Sequence, residues 1–144
     1  MATGFFKFIP LTHGGVRLDI LANKLRFIMR QRPTVTVSDP GRYAEYDMTK
    51  DQVNALVAML QDAKAAVPFP GAASGATEGF FGYIDLAGDG GFRVDLLSNT
   101  IGLSIVIHPK QNTLYVFSAT MELGLAQADD LIAQLIAARN LVWP

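Results

Sequence analysis

Gly14-Gly15-Val16-Arg17-Leu18-Asp19-Ile20-Leu21-Ala22-Asn23-Lys24-Leu25-Arg26-Phe27-Ile28-Met29-Arg30-Gln31-Arg32-Pro33 reads as a β-hairpin, and its pattern returns 76 residues later. The second occurrence is Gly90-Gly91-Phe92-Arg93-Val94-Asp95-Leu96-Leu97-Ser98-Asn99-Thr100-Ile101-Gly102-Leu103-Ser104-Ile105-Val106-Ile107-His108-Pro109. Seven of the 20 positions are identical without a gap: both glycines, Arg17/Arg93, Asp19/Asp95, Leu21/Leu97, Asn23/Asn99 and Pro33/Pro109. The apolar positions match in type as well. The chain is therefore read as two copies of one small unit.

Within the hairpin, side chains alternate as a half-buried strand requires. Val16, Leu18 and Ile20 point one way, Arg17 and Asp19 the other. Asn23 and Asn99 stand where the chain must turn, and asparagine tolerates the left-handed backbone such turns use. In the next strand Leu25, Phe27 and Met29 share one face, while Arg26, Arg30 and Arg32 share the other with Ile28. The second copy has an inner row of Ile101, Leu103, Ile105 and Ile107 and an outer row of Gly102, Ser104, Val106 and His108. Pro33 and Pro109 close these strands, because proline cannot donate to a β-ladder.

Working outward, Gly4-Phe5-Phe6-Lys7-Phe8-Ile9-Pro10-Leu11 is aromatic and β-prone, and Gly79-Phe80-Phe81-Gly82-Tyr83-Ile84-Asp85-Leu86 repeats five of its eight residues. One extra residue in the following loop changes the offset from 75 to 76. A fourth strand is expected at Thr34–Ser38 and at Thr113–Ser118, with Asp39-Pro40-Gly41 as a turn. Thr49-Lys50-Asp51-Gln52 has capping-box form, and the helix it opens runs to about Lys64, burying Val53, Leu56, Val57, Leu60 and Ala63. At the 76-residue offset, Ala55, Leu56, Met59 and Leu60 align with Leu131, Ile132, Leu135 and Ile136 of a C-terminal helix, with Asp129-Asp130 near its start. Pro, Gly and Ala dominate the linker between the copies.

The expected fold class is α+β: one domain, 1–144, built from an internal tandem repeat of ββββα. The first unit is 4–64, the linker 65–78 and the second unit 79–140. Two antiparallel meander sheets carry helices packed on them. A unit of about 65 residues closes a core poorly alone, so the two should pack together as a pseudo-dimer.

Half of the 144 residues are apolar and 17% are charged, a globular composition. No apolar run reaches the roughly 18 residues that span a bilayer, and Met1-Ala2-Thr3-Gly4-Phe5-Phe6 lacks the form of a secretion signal. A soluble, cytoplasmic protein without a membrane partner is expected. The absence of cysteine removes disulfides and thiolate chemistry. The net charge of −1 conceals an asymmetry: residues 1–64 carry nine Lys/Arg against six Asp/Glu, and residues 65–144 three against seven. Such an imbalance marks a polyanion-binding side or a surface used in self-assembly.

The arginine row is the leading candidate site. Lys7, Arg17, Lys24, Arg26, Arg30 and Arg32 are expected to form a basic outer sheet face, with Phe8 and Tyr43 as stacking residues. Arginines at period 2 lie roughly 6.5–7 Å apart, close to the phosphate spacing of an extended single strand. Arg17/Asp19 and Arg93/Asp95 read as same-face ion pairs that stabilise each sheet. In the second copy Lys24, Arg26, Arg30 and Arg32 become Thr100, Gly102, Val106 and His108. Gly102, Ser104 and Val106 accordingly suggest an oligomer interface. The paired glycines fit hairpins, not phosphate loops. His13 and His108 are isolated, and no nucleophile–base pair or metal spacing emerges, so neither an enzyme nor a cofactor is expected.

The tandem ββββα arrangement resembles single-stranded nucleic-acid-binding proteins of the Whirly, PUR-repeat and positive-cofactor-four type. The resemblance is topological and spans nearly the whole chain. It implies a non-enzymatic binder of single-stranded DNA or RNA, an accessory factor in transcription or replication. Its implied partners are RNA polymerase or the replication machinery, and a phage-encoded polymerase cofactor would have this form. The alternative expectation is a protein-interaction or assembly module, a homo-oligomer without a nucleic-acid role.

Overall fold

The alternation around Arg17 and Arg93 becomes two four-stranded antiparallel meanders. The computed structural model of the protein describes residues 3–11, 14–31, 42–67, 78–86, 90–107 and 117–144. The first sheet has the order β1 (Gly4–Leu11), β2 (Gly14–Ile20), β3 (Leu25–Gln31) and β4 (Arg42–Met48). The helix α1 (Lys50–Ala66) follows. The second sheet is β5 (Glu78–Asp85), β6 (Gly90–Leu97), β7 (Ile101–Ile107) and β8 (Phe117–Leu123), followed by α2 (Leu125–Val142). The tandem ββββα architecture expected from the repeat is the observed one.

The hairpin turns fall at the asparagines. Leu21 N donates to Lys24 O at 3.0 Å and Leu97 N to Thr100 O at 2.9 Å, closing the loops that hold Asn23 and Asn99. The inner rows are Val16, Leu18, Ile20, Leu25, Phe27 and Met29 in the first sheet and Phe92, Val94, Ile101, Leu103 and Ile105 in the second, all buried. The helix face expected for α1 is also buried in full: Val53, Leu56, Val57, Leu60 and Ala63.

Two boundaries differ from the expectation. The fourth strand of the first unit is Arg42–Met48, whereas Thr34–Ser38 and the Asp39-Pro40-Gly41 turn lie outside the described residues. In the second unit β8 is Phe117–Leu123, which takes in Phe117 and Ser118 of the expected strand, while residues 113–116 lie outside the described residues. Thr34–Ser38 is β-branched, but in Arg42–Met48 the alternation of Ala44, Tyr46 and Met48 supplies an inner row, with Ala44 and Met48 fully buried.

The second difference is the helix register. Thr49 and Gln52 form a complete capping box: Thr49 N donates to Gln52 Oε1 at 2.9 Å and Gln52 N to Thr49 Oγ1 at 3.3 Å. In α2 Gly124 N donates to Gln127 Oε1 at 2.9 Å, so Gln52 and Gln127 are counterparts at an offset of 75 (127 − 52), not 76. Buried residues obey the same offset: Leu56/Leu131, Val57/Ile132, Leu60/Leu135 and Ala63/Ala138. Asp129 and Asp130 then fall beyond the first turn of α2. Asp129 instead forms an ion pair with Lys64 of α1.

The helices are exchanged. α1 packs on β5 and β6 of the second sheet, and α2 on β1 and β2 of the first. β4 meets β8, β3 meets β8, and β4 meets β7. These contacts occur in reciprocal pairs, the signature of a two-fold-like interface between repeats. A single apolar core runs through both halves. At its centre the Phe27 and Phe92 rings meet edge to face, with centroids 5.1 Å apart. Neither unit keeps its own helix as its principal cover, which is why a half-length piece would leave its core open.

Candidate functional site

The outer faces of the two sheets carry the side chains the core does not use. On both, a β-bulge decides which residues those are. β1 pairs Phe5 with Asp19 and Phe8 with Arg17, with a register shift between Phe5 and Lys7. One extra residue reverses the parity of what precedes it. Phe5 and Phe8, three positions apart, therefore share the outer face, and Phe6 packs against the core. β5 has the same irregularity between Phe80 and Gly82, which brings Phe80 and Tyr83 together opposite Asp95 and Arg93.

The four rings are among the most exposed large apolar groups described: Phe5 61%, Phe8 44%, Phe80 61% and Tyr83 51%. Each sheet lays one ring over a glycine. A Cβ on Gly15 would come within 2.4 Å of Phe8 Cζ, and one on Gly91 within 2.2 Å of Tyr83 Cζ. Only a bare backbone lets these rings lie flat on the sheet. An arginine caps the other ring: Arg17 Cζ stands 5.1 Å from the Phe5 centroid, and Arg93 Cζ 5.1 Å from that of Phe80. Each arginine is held by the acid two residues on, Arg17 Nε to Asp19 Oδ1 at 2.8 Å and Arg93 Nε to Asp95 Oδ1 at 3.0 Å. The same-face pairs read from the sequence are present, with cation–π contacts added. Asp19 is the buried charged residue among those described, 8% exposed, so it is a fixed anchor for Arg17.

Phe5, Phe8, Gly15, Arg17, Ile28 and Arg30 line a groove of about 340 Å³ on the first face. Arg30 is exposed and has no carboxylate partner among the described residues. Arg26 is different. Its Nε lies 2.7 Å from Asp47 Oδ1 and its Nη2 3.2 Å from Asp47 Oδ2, with Glu45 Oε1 3.4 Å from Nε. The Asp47 hydrogen bond, joined by the charges of Asp47, Glu45 and Asp19, pushes the guanidinium further above its ordinary range, against the opposing effect of burial. The expected ladder of free arginines is thus interrupted at Arg26, because β4 brings Asp47 and Glu45 opposite Arg26 and Ile28.

The remaining sequence-derived candidates are dispersed. Lys7 pairs with Leu18, so it lies on the core-facing side of edge strand β1, exposed there, and not in the arginine row. Lys24 sits in the β2–β3 turn. Arg32 lies outside the described residues, and Tyr43 is opposite Arg30 in the β3–β4 register. Tyr46 points inward, its hydroxyl donating to Leu86 O at 3.2 Å. On β7, Gly102 is buried beside Asp95 Cβ, the Ser104 and Thr120 hydroxyls are 3.1 Å apart, and Val106 is half-buried. Phe5, Phe80 and Tyr83 were not singled out from the sequence. The signal that could have found Phe5 and Phe80 was the five-of-eight identity of the first strands, which keeps both where no core demands them, and Tyr83 follows as the aromatic counterpart of Phe8.

Among the described residues, no group of three His, Asp or Glu side chains is placed to hold a metal, and no helix is long and apolar enough to cross a membrane. Compared with known protein-family models and with curated proteins, the chain gives no match.

Proposed function

We propose that the protein is a non-enzymatic binder of single-stranded DNA or RNA, serving as an accessory factor in transcription or replication. The observation that carries this reading is the groove on the first sheet. Two exposed rings, Phe5 and Phe8, offer flat surfaces to bases, while Arg17 and Arg30 border them with positive charge. Aromatic platforms beside cations are what a sequence-tolerant single-strand site needs, because every base has a π-face and every linkage a charge. Duplex DNA hides its base faces, so the rings favour a single strand.

The test is fluorescence anisotropy with a labelled oligothymidine at low salt. The wild-type protein binds, and affinity falls as salt rises. Phe5→Ala with Phe8→Ala removes most of that affinity, while circular dichroism shows the fold intact. An unchanged affinity in this double variant sinks the assignment. A protein-interaction or assembly role is the second reading, favoured by the small, uncharged row of Gly102, Ser104 and Val106 on β7. It expects salt-independent oligomers on a sizing column and no oligonucleotide binding.

A further inference from the structure

The second sheet repeats the stacking rings and the capping arginine, yet its face carries Asp85, Asp95 and Glu122 against Arg93 alone among the described residues. Such a face is ill suited to gripping phosphates. Arg26 of β3 is replaced on β7 by Gly102, and a cavity of about 580 Å³ opens there, lined by Asp95, Thr100, Gly102, Thr120, Glu122 and, from the first unit, Gln31. That volume accommodates a nucleobase.

The polar lining is rich in acceptors. Glu122 Oε1 takes a hydrogen bond from Thr100 Oγ1 at 2.7 Å, which leaves its second oxygen outside that bond. Gln31 Oε1 is buried without a hydrogen-bond partner among the described residues, an arrangement that costs stability unless something supplies a donor. Asp95 links the cavity to the platform, for it pairs with Phe80 across the β5–β6 ladder and lines the cavity as well. Negative and acceptor groups complement N–H donors, and the exocyclic amino group of a base is such a donor. Thymine and uracil lack one.

We infer that the outer face of the second sheet is a base-reading site for single strands, stacking bases on Phe80 and Tyr83 and seating an amino-bearing base in the cavity above Gly102. This rests on the single-strand reading of the first face and divides the labour: the first sheet holds the strand by stacking and charge, the second selects among its bases. Carboxylate acceptance from the cytosine N4 amino group is an established mode of base discrimination.

Oligodeoxycytidine and oligothymidine of equal length test this, since their rings match in size and differ in the amino group. The wild-type protein binds the cytosine strand about tenfold more tightly. Gly102→Val puts side-chain bulk into the cavity at a position where an added Cβ meets nothing nearer than 3.6 Å. It abolishes the preference and leaves oligothymidine binding unchanged. Glu122→Gln lowers the preference, and Phe80→Ala with Tyr83→Ala weakens both strands. Equal affinities for the two strands in the wild type overturn the inference, as does a preference that survives Gly102→Val. A change of particle mass in the Phe80/Tyr83 variant with strand binding untouched also overturns it and makes the face a contact between copies. Failure of the wild type to bind either strand is a different result, because it removes the single-strand reading itself.

Discussion

The two outer faces share their aromatic chemistry and differ in their charge. Phe5, Arg17 and Asp19 are reproduced almost atom for atom by Phe80, Arg93 and Asp95, down to the same 5.1 Å between guanidinium and ring. Across β3 and β7, however, Arg26, Ile28 and Arg30 face Gly102, Ser104 and Val106 as counterparts. Duplication has kept the part that a bulge and a glycine create, and has altered the part that only surface side chains create. The lesson is that shared residues are not automatically scaffold. Here the shared rings are exposed at a cost in apolar hydration, and nothing in the core requires them.

The largest expected effect probes whether the faces belong to one folding unit. Phe27→Ala removes the ring that meets Phe92 across the repeat interface and should cost about 3–5 kcal/mol. Thermal unfolding followed separately through the two halves should still show one transition; two transitions would mean that each sheet folds alone. Next comes the contribution of the first face. On the proposed function, Phe5→Ala and Phe8→Ala each lose about 1–3 kcal/mol of single-strand binding, read by anisotropy. A smaller effect separates the arginines. Arg30→Ala should reduce the slope of log affinity against log salt by ~0.7, the value for one phosphate contact, while Arg26→Ala leaves the slope unchanged because Asp47 and Glu45 already occupy that guanidinium. Equal effects of the two would restore the continuous arginine ladder. The smallest change compares the helix caps. Gly124 has φ −65°, ψ 164°, suited to any residue, so Gly124→Ser should supply the missing side-chain acceptor and stabilise by a few tenths of a kcal/mol in a denaturant titration.

The repeat, the inner rows and the buried face of α1 were legible because burial imposes a period, and period is written in sequence. Val16, Leu18 and Ile20 could hardly be arranged otherwise. The bulges were not legible. Gly4–Leu11 has no residue that announces a parity change, and strict alternation would set Phe5 and Phe8 on opposite faces. The acids opposite Arg26 were hidden for a related reason: with the fourth strand set at Thr34–Ser38, Glu45 and Asp47 had no register to occupy. The helix exchange was equally invisible, since pattern tells which face of a helix is covered and not by which sheet.

That exchange has a consequence for the halves as separable objects. A Cβ at Gly82 would meet Met59 Cε of α1 at 2.9 Å, and the counterpart of Gly82 in the first unit is Lys7. Two copies of the first unit would thus set Met59 against a lysine stem, and would oppose Phe27 with Val16 where the native pair has Phe92. Each half has become the mould of the other and ceased to be its own. The chain is built like a heterodimer whose two subunits are joined end to end, and fragments 1–67 and 78–144 mixed in solution should choose each other over themselves.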